Sequence, residues 1–328
     1  MWRRRLVVPA ALLVLAFAFS FAWPRGVTGR APAGAAKPFT WIAVADHFDQ
    51  PAEGLVEHMV AAKPAFVVGV GDLVFRSSPD DYASLKRAVL DPLAKVAARF
   101  YPVAGNHDFP VRQHWFEFWP PPANKLYYSF DYGNSHFIIL DTNRAFLSEG
   151  DKTEDQRFEP DSEEYAIKAQ AESFEPGSAQ YEWLRKDLAA TRKALIFVFF
   201  HQPAFSFGGH EGSPAIQRAL CPLFERYRVT AVFAGHSHGY ERFVPLRVDL
   251  SSGSPVAVPD KKNGVVYIVT AGGGKPLYDI ATNKLHAATA KAFHFVRIDV
   301  RGTIASCSAI EAKTGRVLDG FELGSRRH

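Results

Sequence analysis

Cysteine and methionine are both scarce in this chain, since each occurs only twice in 328 residues. Cys221 and Cys307 are far apart and no CxxC pair is present, which argues against a structural zinc site built from thiolates. In an oxidising compartment the two cysteines could form one disulfide, but their number does not decide whether they do. The sequence therefore disfavours scaffolds that depend on thiolate-bound zinc.

A surplus of positive charge is missing once the N-terminus is set aside. The whole chain has a formal net charge of +4, but residues 1–36 contain five Arg and no acidic residue, which leaves residues 37–328 with a net charge of −1. Proteins that bind nucleic acids need clustered Lys and Arg side chains to neutralise phosphates. No nucleic-acid partner is therefore predicted.

The N-terminus differs in composition from the rest of the chain. Three Arg, residues 3–5, precede an uncharged segment, residues 6–23, and small residues follow. This pattern is typical of a signal peptide, so residues 1–36 are predicted to be a leader and the protein to be exported to the periplasm or the extracellular space. Eighteen residues also reach the lower limit of a membrane span, so an uncleaved membrane anchor at residues 6–23 stays as the alternative.

The remainder, residues 37–328, has the composition of one large α/β domain. The chain is 47% apolar and 22% charged, which suffices to bury a full core. Strand-like runs alternate with helical patterns up to Gly239, and strands and turns dominate after it, which predicts an α/β core with a second sheet. The helical patterns cover residues 53–62, 80–98, 179–190 and 214–227.

One acidic region interrupts this alternation. Residues 149–175 contain ten carboxylates against three Lys or Arg, within a predicted insertion at residues 143–178. A solvated surface insertion explains the composition. A lid or a partner surface near the mouth of a site is the other interpretation, because long loops in compact domains are often functional.

Polar residues follow five apolar, β-rich runs. The five polar segments are Asp46-His47, Gly71-Asp72, Gly105-Asn106-His107-Asp108, His201-Gln202-Pro203 and Gly235-His236-Ser237-His238-Gly239-Tyr240-Glu241-Arg242. Such residues are expected to meet at one edge of a sheet, where open α/β sheets bind ligands. Carboxylates, an amide oxygen and imidazoles are donors that divalent and trivalent metal ions accept. The pattern predicts a metal site.

The order of these five segments resembles that of the calcineurin-like metallophosphoesterase superfamily. Residues 235–242 are similar to the Gly-His-x-His-x-Tyr-Glu-Arg segment of its purple acid phosphatase branch, and the resemblance spans roughly residues 39–274. It implies a four-layer αββα sandwich of two mixed β-sheets flanked by helices, with metals at one edge of the packed sheets. Residues 37–328 would then be the catalytic domain.

The resemblance also implies two metal ions, for which iron, manganese and zinc are all suitable. Its ligand assignments are Asp72 as the bridge, Asp46 and His238 for one ion, and Asn106, His201 and His236 for the other. His47 is adjacent to Asp46, so in extended backbone its side chain would point away from the metals, and it is a ligand only if a turn begins there.

Phe75 marks a departure from the purple enzymes. It stands where they carry the Tyr that binds ferric iron and gives the colour. A phenyl ring has no donor atom. The chain is therefore expected to lack that ligand and its visible absorption.

Three further residues are implied to act on the substrate. His107 resembles the family His that hydrogen-bonds phosphate and protonates the departing alcohol, Asp108 would orient it, and His210 would contact phosphate oxygens near Asn106. From the residues alone, Asp108 is equally well a helix N-cap before Pro110, and His210 a polar residue of a glycine-rich loop.

The activity implied is that of an acid-phosphatase-like hydrolase that cleaves a small phosphomonoester by in-line attack of a metal-bound hydroxide. Two alternatives stay open. A phosphodiesterase would use the same phosphoryl centre, and a weakly active metal- or phosphate-binding protein would fit the irregular Asp46-His47 pair and Phe75. The loop of residues 272–275 lacks the spacing of a nucleotide-binding P-loop and instead indicates a tight loop that borders the site.

Overall fold

Two stacked β-sheets form the centre of the computed structural model, which describes residues 37–47, 49–108, 111–119, 126–147 and 171–326. The strands in these ranges are β1 Phe39–Val44, β2 Phe66–Val70, β3 Arg99–Val103, β4 Tyr128–Tyr132, β5 Ser135–Ile139, β6 Leu195–Phe199, β7 Ala231–Ala234, β8 Tyr240–Phe243, β9 Leu246–Asp249, β10 Val256–Pro259, β11 Val266–Thr270, β12 His286–Ala290, β13 His294–Arg301, β14 Ile304–Glu311 and β15 Val317–Gly324.

Helices lie between the strands of the first two thirds of the chain. The α-helices are α1 Leu55–Ala61, α2 Pro79–Leu85, α3 Asp91–Ala94, α4 Arg112–Phe118, α5 Ala179–Ala190, α6 Pro214–Ala219 and α7 Cys221–Arg226, with a π-helical turn at Lys86–Leu90 and a 3₁₀ helix at Asn143–Leu147. Local chemistry fixes two of the helix starts. Ser78 and Asp81 form a capping box at α2, and the Ser178 hydroxyl caps α5 by accepting from the amide of Tyr181.

Both large sheets are mixed. The first has the order β15-β14-β13-β1-β2-β3, in which β1, β2 and β3 are parallel and the C-terminal strands antiparallel. The second has the order β12-β8-β11-β7-β6-β5-β4, with a parallel centre from β11 to β5 and antiparallel edges. Strands β9 and β10 form a separate pair.

Three apolar clusters separate the four layers. Aromatic side chains fill the space between the sheets, where Trp41 lies within 5.1–5.5 Å, centroid to centroid, of four Phe rings. A second cluster lies between the first sheet and helices α1 to α4, and a third between the second sheet and helices α5 to α7. Each fully buried large side chain contributes roughly 1.5–3 kcal/mol. The predicted αββα sandwich of two mixed sheets is confirmed.

The fold corrects two features of the sequence interpretation. Strands β13 to β15 do not belong to a second sheet but extend the first, because β13 pairs with the edge of β1 that would otherwise expose unpaired backbone groups. The five strands that precede the polar segments are also not in one sheet. Strands β1, β2 and β3 lie in the first sheet and β6 and β7 in the second, so the polar segments meet at an edge shared by both.

Several sequence predictions concern parts of the chain outside these ranges. Residues 1–36 lie there, as do residues 148–170 of the acidic insertion. Among the residues that the structure describes, no helix is both long and apolar enough to cross a membrane. Cys221 and Cys307 are free thiols, buried in different apolar clusters.

The buried His136 forms two ion pairs that give a pH-dependent contribution to stability. The Nδ1 and Nε2 atoms of His136 lie 2.7 Å and 2.8 Å from carboxylate oxygens of Asp131 and Asp187. Burial lowers the pKa of His136, but the two carboxylates outweigh it and raise the pKa to about 9. Because the folded-state pKa is above the ordinary value near 6.5, this stabilisation is complete below pH 6.5 and is lost as the pH rises through 9.

We therefore expect His136→Gln to destabilise the protein by about 2 kcal/mol at pH 6, a value discounted for the exposure of Asp131. The difference in the free energy of unfolding between His136→Gln and wild type should shrink toward zero by pH 10. Chemical denaturation of both proteins across this range measures it. A difference that does not change with pH would show that His136 contributes by packing alone.

Candidate metal centre

The five predicted polar segments meet at one edge of the sandwich, where main-chain hydrogen bonds tie them together. The amide of Asp46 donates to the carbonyl of Gly71 at 3.1 Å, and the amide of Gly235 donates to the carbonyl of His201 at 2.9 Å. The first bond joins the segments after β1 and β2, and the second joins those after β6 and β7. The edge is thus built of interlocked turns.

Three of the predicted ligands have left-handed backbone conformations. The φ angles are 58° at Asp46, 51° at Asp72 and 70° at His236. A residue other than Gly is disfavoured there by roughly 1 kcal/mol or more. Such strain is found where the surrounding structure fixes it for a function, and here it begins a turn directly after each of strands β1, β2 and β7.

Asp72, His201 and His236 bring their donor atoms within 4.8 Å of one another, and all three residues are buried. The Nε2 atom of His201 lies 3.3 Å from Oδ1 of Asp72. Its Nδ1 atom lies 3.0 Å from the carbonyl oxygen of Val70, which can only accept, so Nδ1 carries the hydrogen. The lone pair of Nε2 therefore points at the carboxylate, an arrangement that requires a proton or a metal ion between them.

Asp46 and His238 repeat this arrangement. The Nδ1 atom of His238 donates to the carbonyl oxygen of Pro276 at 3.0 Å, and Nε2 lies 3.4 Å from Oδ1 of Asp46. The other carboxylate oxygen of Asp46 accepts from the amide of His236 at 3.0 Å. Asp46 thus contacts the imidazole of His238 and the main chain of His236.

Asn106 carries a buried oxygen that no hydrogen bond satisfies. Its Oδ1 atom is buried and has no hydrogen-bond donor within the described residues. An unsatisfied buried acceptor costs about 1–3 kcal/mol, which a metal ion would offset. Gly105 permits the close approach of this turn to the centre, because a Cβ atom there would lie 2.2 Å from Oδ1 of Asp72.

The titration behaviour of the centre follows from the same geometry. Burial alone raises the pKa of Asp72, but the neighbouring His201 and His107 outweigh it and hold the pKa below its usual range. Burial lowers the pKa of His201, yet the Asp72 and Asp46 carboxylates raise it to about 9. His236 is different, since burial and the nearby His210 and His201 place its pKa well below the usual value, so it is neutral, the form that binds metals.

These observations fit two metal ions held by nitrogen and oxygen donors. Both carboxylates are buried and each faces an imidazole lone pair, and the amide oxygen lacks a donor. A positive ion between these atoms would neutralise the carboxylates, accept the imidazole lone pairs and bind the amide oxygen. His47 stays a predicted ligand. The turn on which that prediction depends does begin at Asp46, and the His47 ring lies edge-on to the Phe100 ring, with centroids 6.4 Å apart.

His107 lies at the open side of the centre. Its Nδ1 atom donates to the carbonyl oxygen of Phe75 at 3.0 Å, and its Nε2 atom lies 4.0 Å from Oδ2 of Asp72. The side chain is 38% exposed, whereas that of Asp72 is 2% exposed and that of His201 is fully buried. An imidazole held beside buried ligands yet open to solvent is suited to contact a substrate.

Asp108 and His210, the other two residues predicted to act on the substrate, lie in different parts of the site: Asp108 in the turn after β3, and His210 beside His236. The Asp108 carboxylate accepts from the amides of Leu73, Val74 and Gly105 at 2.8–3.1 Å, which locks the turns after β2 and β3 together. Its visible role is to support those turns. The His210 ring stacks on His236 with centroids 4.0 Å apart, beside the metal cluster.

Three further residues, Tyr278, Lys275 and Glu241, contribute to the site. Tyr278 stacks on His238 with centroids 4.5 Å apart. Lys275 places its Nζ atom 3.8 Å above the Phe75 ring. Glu241 is buried and accepts from the Ser206 hydroxyl, the Phe207 amide and His286 at 2.6–2.9 Å, which anchors the loop that leads to His210.

Fold and site together define a two-sheet αββα protein with a candidate metal centre on the loops at one edge. The family model described as calcineurin-like phosphoesterase matches residues 42–240, and the chain belongs to this family. Purple acid phosphatase 22 of Arabidopsis thaliana is 28% identical over 53% of this chain and 38% of its own length. Tartrate-resistant acid phosphatase type 5 of Homo sapiens is 25% identical over 53% of this chain and 49% of its own length.

The solved structures agree on the fold. A purple acid phosphatase from yellow lupin (Lupinus luteus) seeds superposes with a TM-score of 0.65 and 18% identity, over 88% of this chain and 54% of the lupin chain. The alignments with the two curated relatives cover less than half of each relative's length. This chain therefore spans about half or less of the length of these curated relatives.

We expect Asp72→Asn to bind less metal than wild type, because it removes the negative charge that offsets the repulsion between two cations. The measurement is the number of metal ions per chain by inductively coupled plasma mass spectrometry, after loading and desalting. Asp91→Asn, an exposed carboxylate paired with Lys86, is the matched control and should bind as wild type does. If Asp72→Asn bound as many metal ions per chain as wild type, the assignment of Asp72 as the bridging ligand would be wrong.

Proposed function

We propose that the protein is a binuclear metal-dependent phosphatase that hydrolyses phosphomonoesters. The observation that carries this proposal is the placement of Asp72. One of its oxygens faces Nε2 of His201 and also accepts from the amide of His107 at 2.9 Å. The carboxylate that would bridge the metals thus also holds the residue that faces the substrate. The relatives named as acid phosphatases support the choice of a monoester.

Each side chain has a defined part in this reaction. Asp46 and His238 would hold one ion, Asn106, His201 and His236 the other, and Asp72 both. The bound metals would supply the positive charge that activates water and neutralises the phosphoryl oxygens.

The surrounding residues orient the ester and its leaving group. His107, fixed through Nδ1 to the Phe75 carbonyl, directs Nε2 toward the centre and would give a proton to the departing alcohol. Asp108 holds the turn that carries His107. His210, stacked on His236, would bind a phosphoryl oxygen.

Wild-type protein loaded with metal should hydrolyse 4-nitrophenyl phosphate with a higher kcat/KM than bis(4-nitrophenyl) phosphate. The expectation follows from the double negative charge of a phosphomonoester, which two bound metal ions would neutralise. Initial rates with both esters, together with metal content, measure it. Preference for the bis-ester would favour the phosphodiesterase alternative, and metal binding without turnover of either ester would favour a binding protein.

The role of His107 is separable from that of the ligands. His107→Ala should retain its metals, yet slow hydrolysis roughly 10²- to 10⁴-fold for esters of alcohols with a high pKa, the range typical of a general acid. The loss should shrink for esters of acidic alcohols, because these depart with little need of a proton. The measurement is the dependence of kcat/KM on leaving-group pKa in both proteins.

His58→Ala, at the last turn of α1, is the matched control and should behave as wild type. An equal loss across the whole ester series would instead assign His107 to binding or positioning of the phosphoryl group. Loss of metal from His107→Ala would make it a ligand or a support for one.

We further propose that the enzyme acts outside the cytoplasm. The basic and then apolar leader of residues 1–36 supports this proposal, with residues 37–328 as the catalytic domain. Sequencing the N-terminus of the protein purified from its native host distinguishes a cleaved leader from an anchor retained at residues 6–23. An unprocessed chain that remains in the cytosolic fraction would contradict export.

A further inference from the structure

The loop after β11, residues 272–278, is fixed directly against the metal centre. The amide of Lys275 donates to the carbonyl oxygen of Asp46 at 3.3 Å. One residue further on, the carbonyl oxygen of Pro276 accepts from Nδ1 of His238 at 3.0 Å. Asp46 and His238 are both predicted ligands. These hydrogen bonds therefore hold the main chain of Lys275 in a fixed position relative to the metal centre.

The side chain of Lys275 extends to Phe75, on the side where His107 lies. Its Nζ atom is 3.8 Å from the centroid of the Phe75 ring, and the guanidinium carbon of Arg76 is 5.3 Å from the same centroid. The Phe75 ring stacks in turn on the His107 ring, with centroids 5.3 Å apart and an angle of 22°. Since Phe75 is 38% exposed, the ring and its cations border the open rim of the site.

A positive charge at this position does not help the protein to hold its metals. It would repel two cations, and Lys275 is only partly exposed to water. Such a charge becomes favourable when an anion enters the site. The phosphoryl group itself would lie among the metal ligands, whereas Lys275 lies with Phe75 beside His107, where the alcohol departs.

We propose that Lys275, supported by Phe75, binds a second anionic group on the alcohol part of the substrate. The substrate class is then a phosphomonoester whose leaving group itself carries a negative charge, and Phe75 supplies the apolar surface along which its carbon skeleton lies. This assignment rests on the proposed phosphatase function and adds the selection of the leaving group to it.

The test compares two esters that differ only in charge far from phosphorus, 3-carboxyphenyl phosphate and 3-carbamoylphenyl phosphate. Lys275→Met should lower kcat/KM for the carboxylated ester roughly tenfold, the effect of one charge-assisted hydrogen bond, and change that for the carbamoyl ester less than about twofold. Lys275→Arg should restore most of the preference. Lys86→Met, which removes an exposed lysine paired with Asp91, is the matched control.

Binding provides a second measurement that does not depend on turnover. Calorimetry with the non-hydrolysable (3-carboxyphenyl)methylphosphonate and its carbamoyl counterpart should show the same loss of discrimination in Lys275→Met. If Lys275→Met lowered kcat/KM equally for both esters, Lys275 would contact the phosphoryl group instead. If it lowered neither, Lys275 would not contact the substrate. If wild-type protein binds metal but hydrolyses neither ester, the phosphatase function itself is wrong, a result distinct from active enzyme without charge discrimination.

Discussion

The burial of two carboxylates, Asp46 and Asp72, is the constraint on which the rest of the site depends. Each lies at the end of a central strand, almost fully removed from water, and each faces the Nε2 atom of an imidazole whose other nitrogen is committed to a carbonyl oxygen. A buried ion without a counter-charge costs several kcal/mol. In each case the neighbouring group is an imidazole, whose Nε2 atom lies 3.3 Å from Asp72 and 3.4 Å from Asp46, so a proton or a metal ion between the two atoms supplies compensating charge.

The sandwich holds these groups in place through its aromatic interior. Trp41 and the Phe rings around it fix the two sheets against each other, and the strands β1, β2, β3, β6 and β7 then end at the same edge. The strained turns at that edge are linked by main-chain hydrogen bonds and by the Asp108 carboxylate. Packing of the interior therefore sets the geometry of the ligands before any metal binds, which is the preorganisation that metal catalysis requires.

The sequence predicted much of this and missed the rest for physical reasons. Apolar runs followed by Asp, Asn and His marked the strand ends, so the fold class and the side chains around Asp72 were within reach. The assignment of strands to sheets could not be predicted, because the pairing of β13 with β1 joins segments some 260 residues apart and leaves no local sequence pattern. The contacts of Lys275 with Phe75 and of Glu241 with Ser206 and His286 were not predictable either, since these partners are brought together only by the tertiary fold.

The distribution of the ligands along the chain has a consequence for how the protein acquires its metals. The amide of His236 reaches back 190 residues to Asp46, and the donors are divided between the two sheets. The predicted ligand set is complete only when segments some 190 residues apart meet, so the whole centre forms with the tertiary fold and not from one local segment. The compartment in which the chain completes its fold, rather than the one in which it is synthesised, would then decide which ions compete for the centre.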